Sequence, residues 1–296
     1  MPSGSGEGEV LVVGDLLVDV VVVPSGPIQH ASDVPSRVRA GGGGSAANTA
    51  CWLASTGRST ALVAMVGDDA VAPGALADLE ASGVVFAGAT AAGEATGTCV
   101  VLVDPDGERT MFPDRGANDR LEAALVVGAL ARRSPAWLHL SGYTLLDEGS
   151  RPAGLAALER ARSIGLPASV DASSAGPLRH VGGAAFLDWV DGVGILFAND
   201  DELDALGGAR AVVPRAGALV VKHGPAGVSW VTSEGATSAP AETTAVVDTI
   251  GAGDALDAGV IAAVLDGASP GDALAAGTRL AAQAVARPGA RPPTHA

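Results

Sequence analysis

Short runs of apolar residues alternate along the chain with longer segments of helical periodicity. The first run, residues 9–14, is almost wholly apolar and ends at a glycine, which is typical of a buried parallel strand. The same pattern predicts further strands at 61–66, 136–140, 166–171, 193–197, 218–222 and 227–231. It predicts helices at 45–55, 67–81, 118–133 with Asn118 as the cap, 150–164, 253–265 and 270–286. Strands that alternate with helices indicate a layered α/β fold with a mostly parallel sheet.

Two segments interrupt this alternation. Residues 97–112 alternate apolar and polar positions around Asp104-Pro105-Asp106-Gly107, a sequence that predicts a β-hairpin. Residues 18–23, with the proline-containing stretch that follows them, do not fit either. We interpret both segments as a small β-lid over one end of the sheet, where open α/β sheets bind ligands. The predicted organisation is a flexible tail at 1–8 and a single domain at 9–292, with lid insertions at about 18–40 and 94–115.

Charge and composition narrow the classes of partner. The 296 residues include 33 acidic and 18 basic side chains, a formal net charge of -15, and such a surface repels nucleic acid. Cys51 and Cys99 are far apart in the sequence, which argues against a disulfide framework or a zinc site. The N-terminus lacks the pattern of a secretory signal, and the apolar run 10–23 contains Asp15 and Asp19. We therefore expect a cytoplasmic protein that binds neither nucleic acid nor membranes.

The most informative segment is 248–259, in which three small residues, Gly251-Ala252-Gly253, precede a predicted helix. Small residues let successive backbone N–H groups point at one spot at a helix N-terminus, where they stabilise an anion. A carboxylate beside that spot, Asp254, would repel the anion unless it removes a proton from a hydroxyl group that attacks phosphorus. The alternative is a glycine-rich turn in which Asp254 caps the helix.

A second glycine-rich segment spans residues 41–50. Its glycines let a ligand approach the main chain, and Asn48 offers both a donor and an acceptor to a polyhydroxylated ligand. A dinucleotide fingerprint is disfavoured, because that motif directly follows the first strand and roughly 25 residues intervene here. A flexible loop is the remaining alternative.

Two more segments follow predicted strands. Residues 199–202, Asn-Asp-Asp-Glu, offer an amide and carboxylates that hold Mg²⁺ through water, or else form an ordinary acidic helix start. Residues 222–227 begin with Lys222, the chain's sole lysine, and form either a nucleotide-binding turn or a plain hairpin. No Walker A loop and no protein-kinase catalytic loop surrounds this lysine, so any ATP site uses another scaffold.

Together these four segments resemble the ribokinase-like (PfkB) family of carbohydrate and nucleoside kinases, in the family's order and over nearly the whole chain. Residues 248–259 (DTIGAGDALDAG) fit its C-terminal signature at every position. Residues 43–48 are similar to its N-terminal signature, and 199–202 and 222–227 to its N-x-x-E and K-x-G-x-x-G motifs. The resemblance implies a three-layer αβα sandwich with a mostly parallel central sheet and a small β-sheet lid. It also implies phosphoryl transfer from ATP–Mg²⁺ to a hydroxymethyl group of a sugar.

The resemblance also implies roles for individual residues. Asp254 is the general base, and the amides of 251–254 form an anion hole. The residues expected to be catalytic are Asp254, Gly251, Ala252 and Gly253. Those expected to bind the substrate are Asp15, Asp19, Gly43, Gly44, Asn48 and Arg109. Those expected to bind ATP are Asn199, Glu202, Lys222, Gly224 and Gly227, with Glu202 also holding Mg²⁺ through water. Asp248 and Ile250 match a K⁺ site of many relatives, and 284–290 resembles its other half.

Departures from the family pattern bear on the substrate. Many ketohexose and ketogluconate kinases carry a D-P-N-x-R stretch, whereas residues 171–177 contain no arginine, which argues against those substrates. Near the lid hairpin, Arg109, Asp114, Arg115 and Asn118 either tune specificity or form a solvated charged loop. Aromatic residues are only 3% of the chain, which favours a sugar over a nucleoside.

Other classes of function stay open at this point. The alternatives are a nucleoside kinase of the same fold and a non-catalytic sugar-binding protein on the same scaffold. A nicotinamide-dependent oxidoreductase is disfavoured by the position of the glycine motif. Relatives often dimerise through their lid sheets, so we expect a homodimer of that kind.

Overall fold

A computed structural model describes residues 8–104 and 109–293. Residues 1–7 of the predicted tail, and 105–108 at the tip of the predicted lid hairpin, lie outside the described residues. Gly8, the last residue assigned to the tail, already packs against the domain. A Cβ atom on Gly8 would lie 2.0 Å from the Cβ of Ala136. Gly8 therefore contacts the residue that precedes β10, while the predicted division into tail and domain stays a prediction.

The described residues form strands and helices in alternation. The strands are β1 (Val10–Val13), β2 (Leu17–Pro24), β3 (Ser36–Gly43), β4 (Thr60–Val63), β5 (Met65–Gly67), β6 (Val85–Phe86), β7 (Ala89–Ala91), β8 (Gly97–Val103), β9 (Arg109–Asp114), β10 (Trp137–Ser141), β11 (Ala168–Asp171), β12 (Val193–Asn199), β13 (Ala216–Lys222), β14 (Val228–Thr232) and β15 (Gly235–Ala239). The helices are α1 (Ser45–Ser55), α2 (Ala72–Ala81), α3 (Ala123–Arg133), α4 (Tyr143–Leu146), α5 (Arg151–Ser163), α6 (Ala175–Val181), α7 (Gly183–Trp189), α8 (Asp200–Ala205), α9 (Ala209–Val212), α10 (Ala252–Leu265) and α11 (Pro270–Val285).

Nine strands form the central sheet in the order β15-β14-β13-β12-β11-β10-β1-β4-β6. Every neighbouring pair from β13 to β6 is parallel, and the two pairs at the β15 edge are antiparallel. All four residues of β1 are buried, as expected of a strand covered on both faces. The predicted mostly parallel sheet is confirmed.

Side chains of β1 alternate between two apolar cores, one on each face of the sheet. Val10 and Val12 pack in the core shared with α1, α2, α10 and α11. Leu11 and Val13 pack in the other core, with α3 to α7 and α9. Successive side chains of a strand point to opposite faces, so β1 is covered on both sides by helices. The predicted three-layer αβα sandwich is confirmed.

A separate four-stranded sheet, the lid, has the order β3-β2-β8-β9. Its two outer pairs are antiparallel and its central pair, β2 with β8, is parallel, so the sheet is mixed. The first three glycines of the run 41–44 belong to β3, where Gly41, Gly42 and Gly43 pair with β2 residues. The glycine run is therefore mainly strand and not the flexible loop considered as an alternative.

The predicted helix at 67–81 starts too early. Gly67 belongs to β5, which pairs in parallel with β7 in a small third sheet. The Asp69 side chain then accepts hydrogen bonds from the N–H groups of Val71, at 3.2 Å, and Ala72, at 3.1 Å. Because these contacts satisfy donors of the first turn, the helix begins at Ala72. The predicted strand 61–66 is likewise divided, since β4 and β5 belong to different sheets.

Asn118 is not a helix cap, contrary to prediction. It lies in the short 3₁₀ helix Gly116–Arg120, and α3 begins at Ala123. Its amide instead accepts from the N–H of Leu16, at 3.1 Å, and donates to the Leu16 carbonyl, at 3.0 Å. Such long-range pairing of a buried amide with the main chain cannot be read from local sequence.

Among the described helices, none is both long enough and apolar enough to cross a membrane. The expected cytoplasmic location stays a prediction.

Candidate active site

A cavity of about 480 Å³ lies between the lid and the carboxyl ends of the parallel strands. We call it the lid cavity. Most residues singled out in the sequence line it, although they come from distant parts of the chain. These are Asp15, Asp19, Gly44, Asn48, Arg109, Arg115, Asn199, Glu202, Lys222, Gly224, Ile250, Gly251, Gly253 and Asp254. The four glycine and acidic motifs therefore meet at one place.

A second cavity, of about 400 Å³, lies between α10, α11 and the β13–β14 turn. We call it the α10–α11 cavity. Gly227 and Ala252 line it, and Lys222, Gly224 and Gly253 line both cavities. Two predicted residues line neither cavity: Gly43 lies behind Asp19, and Asp248 is paired with Arg109. The two cavities thus meet at Lys222 and Gly253.

The N-terminus of α10 is shaped by Gly251. This residue has φ +75°, and a Cβ atom on it would lie 2.4 Å from the carbonyl oxygen of Ala290. A side chain at this position would therefore force the loop apart. The Ala252 N–H makes a long contact, 3.4 Å, with the Thr249 carbonyl. Because first-turn N–H groups of a helix lack helical partners, that of Gly253 is available to an anion.

Asp254 lies in this first turn and is held by two side chains of α1. Ser45 Oγ donates to Asp254 Oδ1 at 2.8 Å, and Asn48 Nδ2 donates to Oδ2 at 3.0 Å. Burial raises the pKa of Asp254 to about 7, and these two hydrogen bonds oppose that rise by stabilising the charged form. A carboxyl group with such a pKa exchanges protons near neutral pH, as a general base must.

Ser45 was missed by the sequence analysis as a functional residue. It is the first residue of α1 and lies three positions before Asn48, so both side chains project from one face of the helix. That spacing was the available signal. Gly44 at φ +90° makes the turn into α1, where a Cβ atom would lie 2.7 Å from the Asp15 carbonyl oxygen.

Lys222 lies behind the first turn of α10 and is fixed by two buried carboxylates. Its Nζ forms an ion pair with Asp171 and a second one with Asp257, at 3.3 Å. Burial by itself would lower the pKa of Lys222, but Asp171 and Asp257 raise it far above its usual value. Burial likewise opposes ionisation of Asp171, yet Lys222 lowers the pKa of that carboxyl below its usual range. The lysine therefore stays charged beside Gly253.

Asp171 and Asp257 were not predicted as site residues. Asp171 ends β11, so it stands at the ligand-binding edge of the sheet. Asp257 follows Asp254 by three positions on α10 and is completely buried. Their positions in the sequence are suggestive, but only the adjacency of β11, β13 and α10 brings them to one lysine.

Asn199 and Glu202 bind each other at the start of α8. Glu202 Oε2 accepts from the Asn199 N–H and Oε1 from Asn199 Nδ2, both at 2.8 Å, while Asn199 Oδ1 accepts from the Glu202 N–H at 2.9 Å. This is a capping box, so the structural alternative for this motif is realised. Burial raises the pKa of Glu202 to about 7, with Asp171 adding to the effect. Both side chains nevertheless line the lid cavity.

The described residues contain no group of three or more His, Cys, Asp or Glu side chains that could hold a metal ion. Mg²⁺ needs no such cage, since it is commonly bound through one or two carboxylates together with substrate phosphates and water. Glu202 on the cavity wall fits a role of that kind.

The opposite end of the lid cavity holds two aspartates of different character. Asp15 accepts from the Ala46 N–H at 3.1 Å and is paired with Arg115 at 3.0 Å. Burial raises the pKa of Asp19 to about 6, and Arg291 opposes the rise. A Cβ atom on Gly43 would lie 2.0 Å from the Asp19 carboxylate, which explains the glycine.

The four lid residues considered for specificity have separate positions. Arg109 and Arg115 line the cavity. Asn118 is buried outside the cavity, where its amide is hydrogen-bonded to the main chain of Leu16. Asp114 accepts from the Gly116 N–H at 3.1 Å. Arg109 also contacts Asp248, at 3.0 Å, and Thr249. This contact links the lid to the loop before α10.

Comparison with known proteins gives a consistent result. The profile of the pfkB family carbohydrate kinases matches residues 7–296. An ATP-dependent ribose-1-phosphate kinase of Halopiger xanaduensis is 34% identical over 233 residues, which are 76% of this chain and 73% of that protein. Fructokinase-1 of Oryza sativa subsp. japonica is 29% identical over 266 residues, which are 85% of this chain and 81% of that protein.

Solved structures match the fold over nearly the whole chain. Adenosine kinase from Sinorhizobium meliloti superposes with a TM-score of 0.82 at 25% identity, covering 97% of this chain and 96% of that one. Arabidopsis thaliana ribokinase complexed with ribose and ATP superposes with a TM-score of 0.77 at 21% identity, covering 96% and 94%.

Proposed function

Because the chain belongs to the pfkB family of carbohydrate kinases and is a phosphotransferase, we propose that it transfers the γ-phosphoryl group of ATP to a hydroxymethyl group of a sugar. The observation that carries this proposal is the position of Asp254. Its carboxylate faces the lid cavity, at the N-terminus of α10, beside the point where the two cavities meet. A hydroxyl group in the lid cavity and a phosphate in the α10–α11 cavity would meet there.

Asp254 acts as the general base. Its deprotonated carboxylate accepts the proton of the attacking hydroxyl, which makes that oxygen a stronger nucleophile. Ser45 and Asn48 fix the orientation of the carboxylate and favour its charged form. Proton removal and orientation are thus supplied by three side chains from two helices.

The anion hole is the first turn of α10. The N–H groups of residues 251–254 stabilise the charge that develops on the transferring phosphoryl group. Lys222 adds a fixed positive charge behind Gly253, where a Cβ atom would lie 3.4 Å from Nζ. Glu202 on the cavity wall would hold Mg²⁺ through water, and the ion would neutralise charge on the phosphates of the nucleotide.

The nucleotide belongs in the α10–α11 cavity. Its walls are mostly Thr, Ala, Val and Leu side chains, with Gly224 and Gly227 at the β13–β14 turn. Apolar walls with few polar groups suit the flat base of a nucleotide. Lys222, Gly224 and Gly253 then lie along the path of the phosphates.

The lid cavity suits a polyhydroxylated acceptor better than a nucleoside. Asp15, Asp19 and Asn48 offer acceptors and a donor for hydroxyl groups, and Tyr143 is the aromatic residue among the described lining residues. A base needs a stacking surface, for which one partly buried tyrosine provides little area. The similarity to a ribose-1-phosphate kinase adds a phosphorylated pentose to the candidates, with Arg109 and Arg115 as nearby cations.

The experiment measures ADP release from Mg-ATP with ribose, ribose 1-phosphate, fructose and adenosine. We expect turnover with a sugar and a loss of about 10²- to 10⁴-fold in Asp254→Ala, which keeps nucleotide binding. Asp204→Ala is the matched control, because the Asp204 side chain is 84% exposed on α8. Full turnover in Asp254→Ala would contradict the mechanism. Adenosine as the best acceptor would favour a nucleoside kinase, and ligand-induced stabilisation without ADP release would favour a binding protein.

The outer face of the lid bears on oligomerisation. Val38, Val100 and Phe112 are exposed on the face of the lid sheet opposite Met111, which lines the cavity. Exposed apolar side chains on a sheet support the homodimer through the lid that the sequence analysis expects. A monomeric mass in light scattering would contradict it.

A further inference from the structure

Asp248, which lies in the loop between β15 and α10, already has a protein partner for each carboxylate oxygen. Its Oδ1 accepts from the Ile250 N–H at 3.0 Å and lies 3.0 Å from Nη2 of Arg109. Its Oδ2 accepts from the Gly289 N–H at 3.0 Å. The Arg109 guanidinium also contacts Thr249 Oγ1. A single cationic side chain from the lid therefore neutralises the loop that carries the anion hole.

These residues do not fit the K⁺ ion that the sequence resemblance implied at Asp248 and Ile250. The guanidinium already pairs with Oδ1 of Asp248, and Oδ2 is taken by the Gly289 N–H. On the other half of that site, the Ala290 carbonyl accepts from the indole N–H of Trp52 at 2.9 Å. A second monovalent cation beside Arg109 would meet a carboxylate that is already neutralised, and would be repelled by the guanidinium.

Burial distinguishes this contact from an ordinary surface ion pair. The Arg109 and Asp248 side chains are only 19% and 10% exposed. Exposed ion pairs contribute little because water screens them. The pair of Arg120 with Glu94 is of that kind, since its side chains are 66% and 33% exposed. The guanidinium is planar and presents several N–H donors, so it contacts Asp248 and Thr249 at once while the lid stays in place.

We propose that Arg109 is a built-in monovalent cation, which neutralises Asp248 and holds the anion-hole loop so that the protein needs no K⁺. The proposal rests on the proposed kinase function only where activity is measured. The measurement of stability does not depend on that function. Without Arg109, the Asp248 charge lies close to the N-terminus of α10 and repels the transferring phosphoryl group. Arg109 is thus a positioning residue that acts through the loop.

The test compares wild type, Arg109→Ala and Arg109→Lys in KCl and in choline chloride at equal ionic strength. Arg120→Ala is the control, because it removes an arginine whose ion pair lies outside the lid sheet and is largely exposed. The first readout is the thermal unfolding midpoint, which needs no substrate. We expect wild type, Arg120→Ala and Arg109→Lys to have the same midpoint in both salts. Arg109→Ala should have a lower midpoint in choline chloride, and K⁺ should restore it.

The second readout is ADP release in the same salts. Wild type should be indifferent to K⁺, while Arg109→Ala should lose about tenfold or more in choline chloride and recover with K⁺, as expected for one lost charge-assisted contact. A wild type that is stabilised or activated by K⁺ but not by choline would overturn the proposal. So would an Arg109→Ala variant that responds to K⁺ in neither readout.

The outcomes separate this proposal from the proposed function. If no acceptor gives turnover, the kinase assignment fails, and the melting comparison still decides whether Arg109 replaces the ion. If Arg109→Ala does not fold, Arg109→Gln keeps the length of the side chain without its charge. A K⁺-dependent midpoint in that variant supports the proposal, and an indifferent one contradicts it.

Discussion

The two cavities that meet at Lys222 and Gly253 differ in how they are built. The lid cavity is lined by charged and polar side chains that already bind each other, such as Asp15 with Arg115 and Asp254 with Asn48. The α10–α11 cavity is lined by small and apolar residues, and within the described part of the chain its ionisable lining residues are Lys222 and Glu242. Hydrogen bonds and ion pairs fix the lining residues of the lid cavity, whereas the α10–α11 cavity offers mainly an apolar surface.

This difference follows from what each side must do. Removing a proton and orienting a hydroxyl group require donors and acceptors at fixed positions, which a preorganised network supplies. Holding a flat base requires buried apolar area, and directional contacts are less important there. The substitutions below change one side of the comparison at a time.

Lys222→Met should have the largest effect. The lysine is shared by both cavities, and its loss leaves Asp171 and Asp257 facing each other in the interior. Removing one partner of a buried charge cluster costs about 3–5 kcal/mol. We expect a loss of that size in the free energy of unfolding, measured by denaturant titration.

The control for Lys222→Met is Arg215→Met. Arg215 contacts Asp188 at 2.9 Å, but the two side chains are 42% and 65% exposed. Exposed pairs contribute about 0–1 kcal/mol, so this variant should be nearly neutral. Similar losses in the two variants would mean that the lysine is an ordinary ion pair and does not organise the site.

The cluster around Lys222 also shows where sequence analysis stops. The glycine and acidic motifs were found because their residues are close together in the sequence and their spacing has a local meaning. Lys222 is separated from Asp171 by 51 positions and from Asp257 by 35. Only the parallel order of β11, β12 and β13 beneath α10 brings them together. The sandwich and the glycine-rich turn into α10 were predictable, whereas the carboxylates that pair with Lys222 were not.

The lid contact of Arg109 has the same origin. Arg109 was expected to bind substrate, and it does line the lid cavity, but its guanidinium contacts Thr249, 140 positions away. Nothing in either local sequence indicates that pairing. Contacts between the lid and the loop before α10 depend on how the lid sheet packs against the central sheet. The spacing of apolar residues along the chain does not specify that packing.

Ala282→Trp tests the apolar cavity and should have an intermediate effect. Ala282 lies on α11 and lines the α10–α11 cavity. A large side chain there fills the space in which we propose that the nucleotide binds, and overpacking costs about 1–3 kcal/mol, or about 5- to 150-fold in affinity. We expect the KM for ATP to rise by such a factor while the KM for the acceptor changes little.

Gln283→Trp is the control, since Gln283 is the next residue on α11 and is exposed. It should leave both KM values unchanged. A rise in the acceptor KM with Ala282→Trp would show that the two cavities are not separate binding regions.

Asn48→Ala and Asn118→Ala should give the smallest and most selective difference. Both asparagines are buried, but Asn48 donates to Asp254, whereas Asn118 is bonded to the main chain of Leu16. Asp254 must be deprotonated to act as a base, so kcat rises as the pH passes upward through its pKa, about 7. Loss of the Asn48 hydrogen bond destabilises the charged form and raises that pKa, so the acidic limb of kcat should move about one unit to higher pH.

Asn118→Ala should lose about 1–3 kcal/mol of stability through the unpaired Leu16 groups and leave the limb in place. An equal shift in both variants, or none in Asn48→Ala, would mean that Asp254 does not set the pH dependence and that the network of the lid cavity does not tune its base.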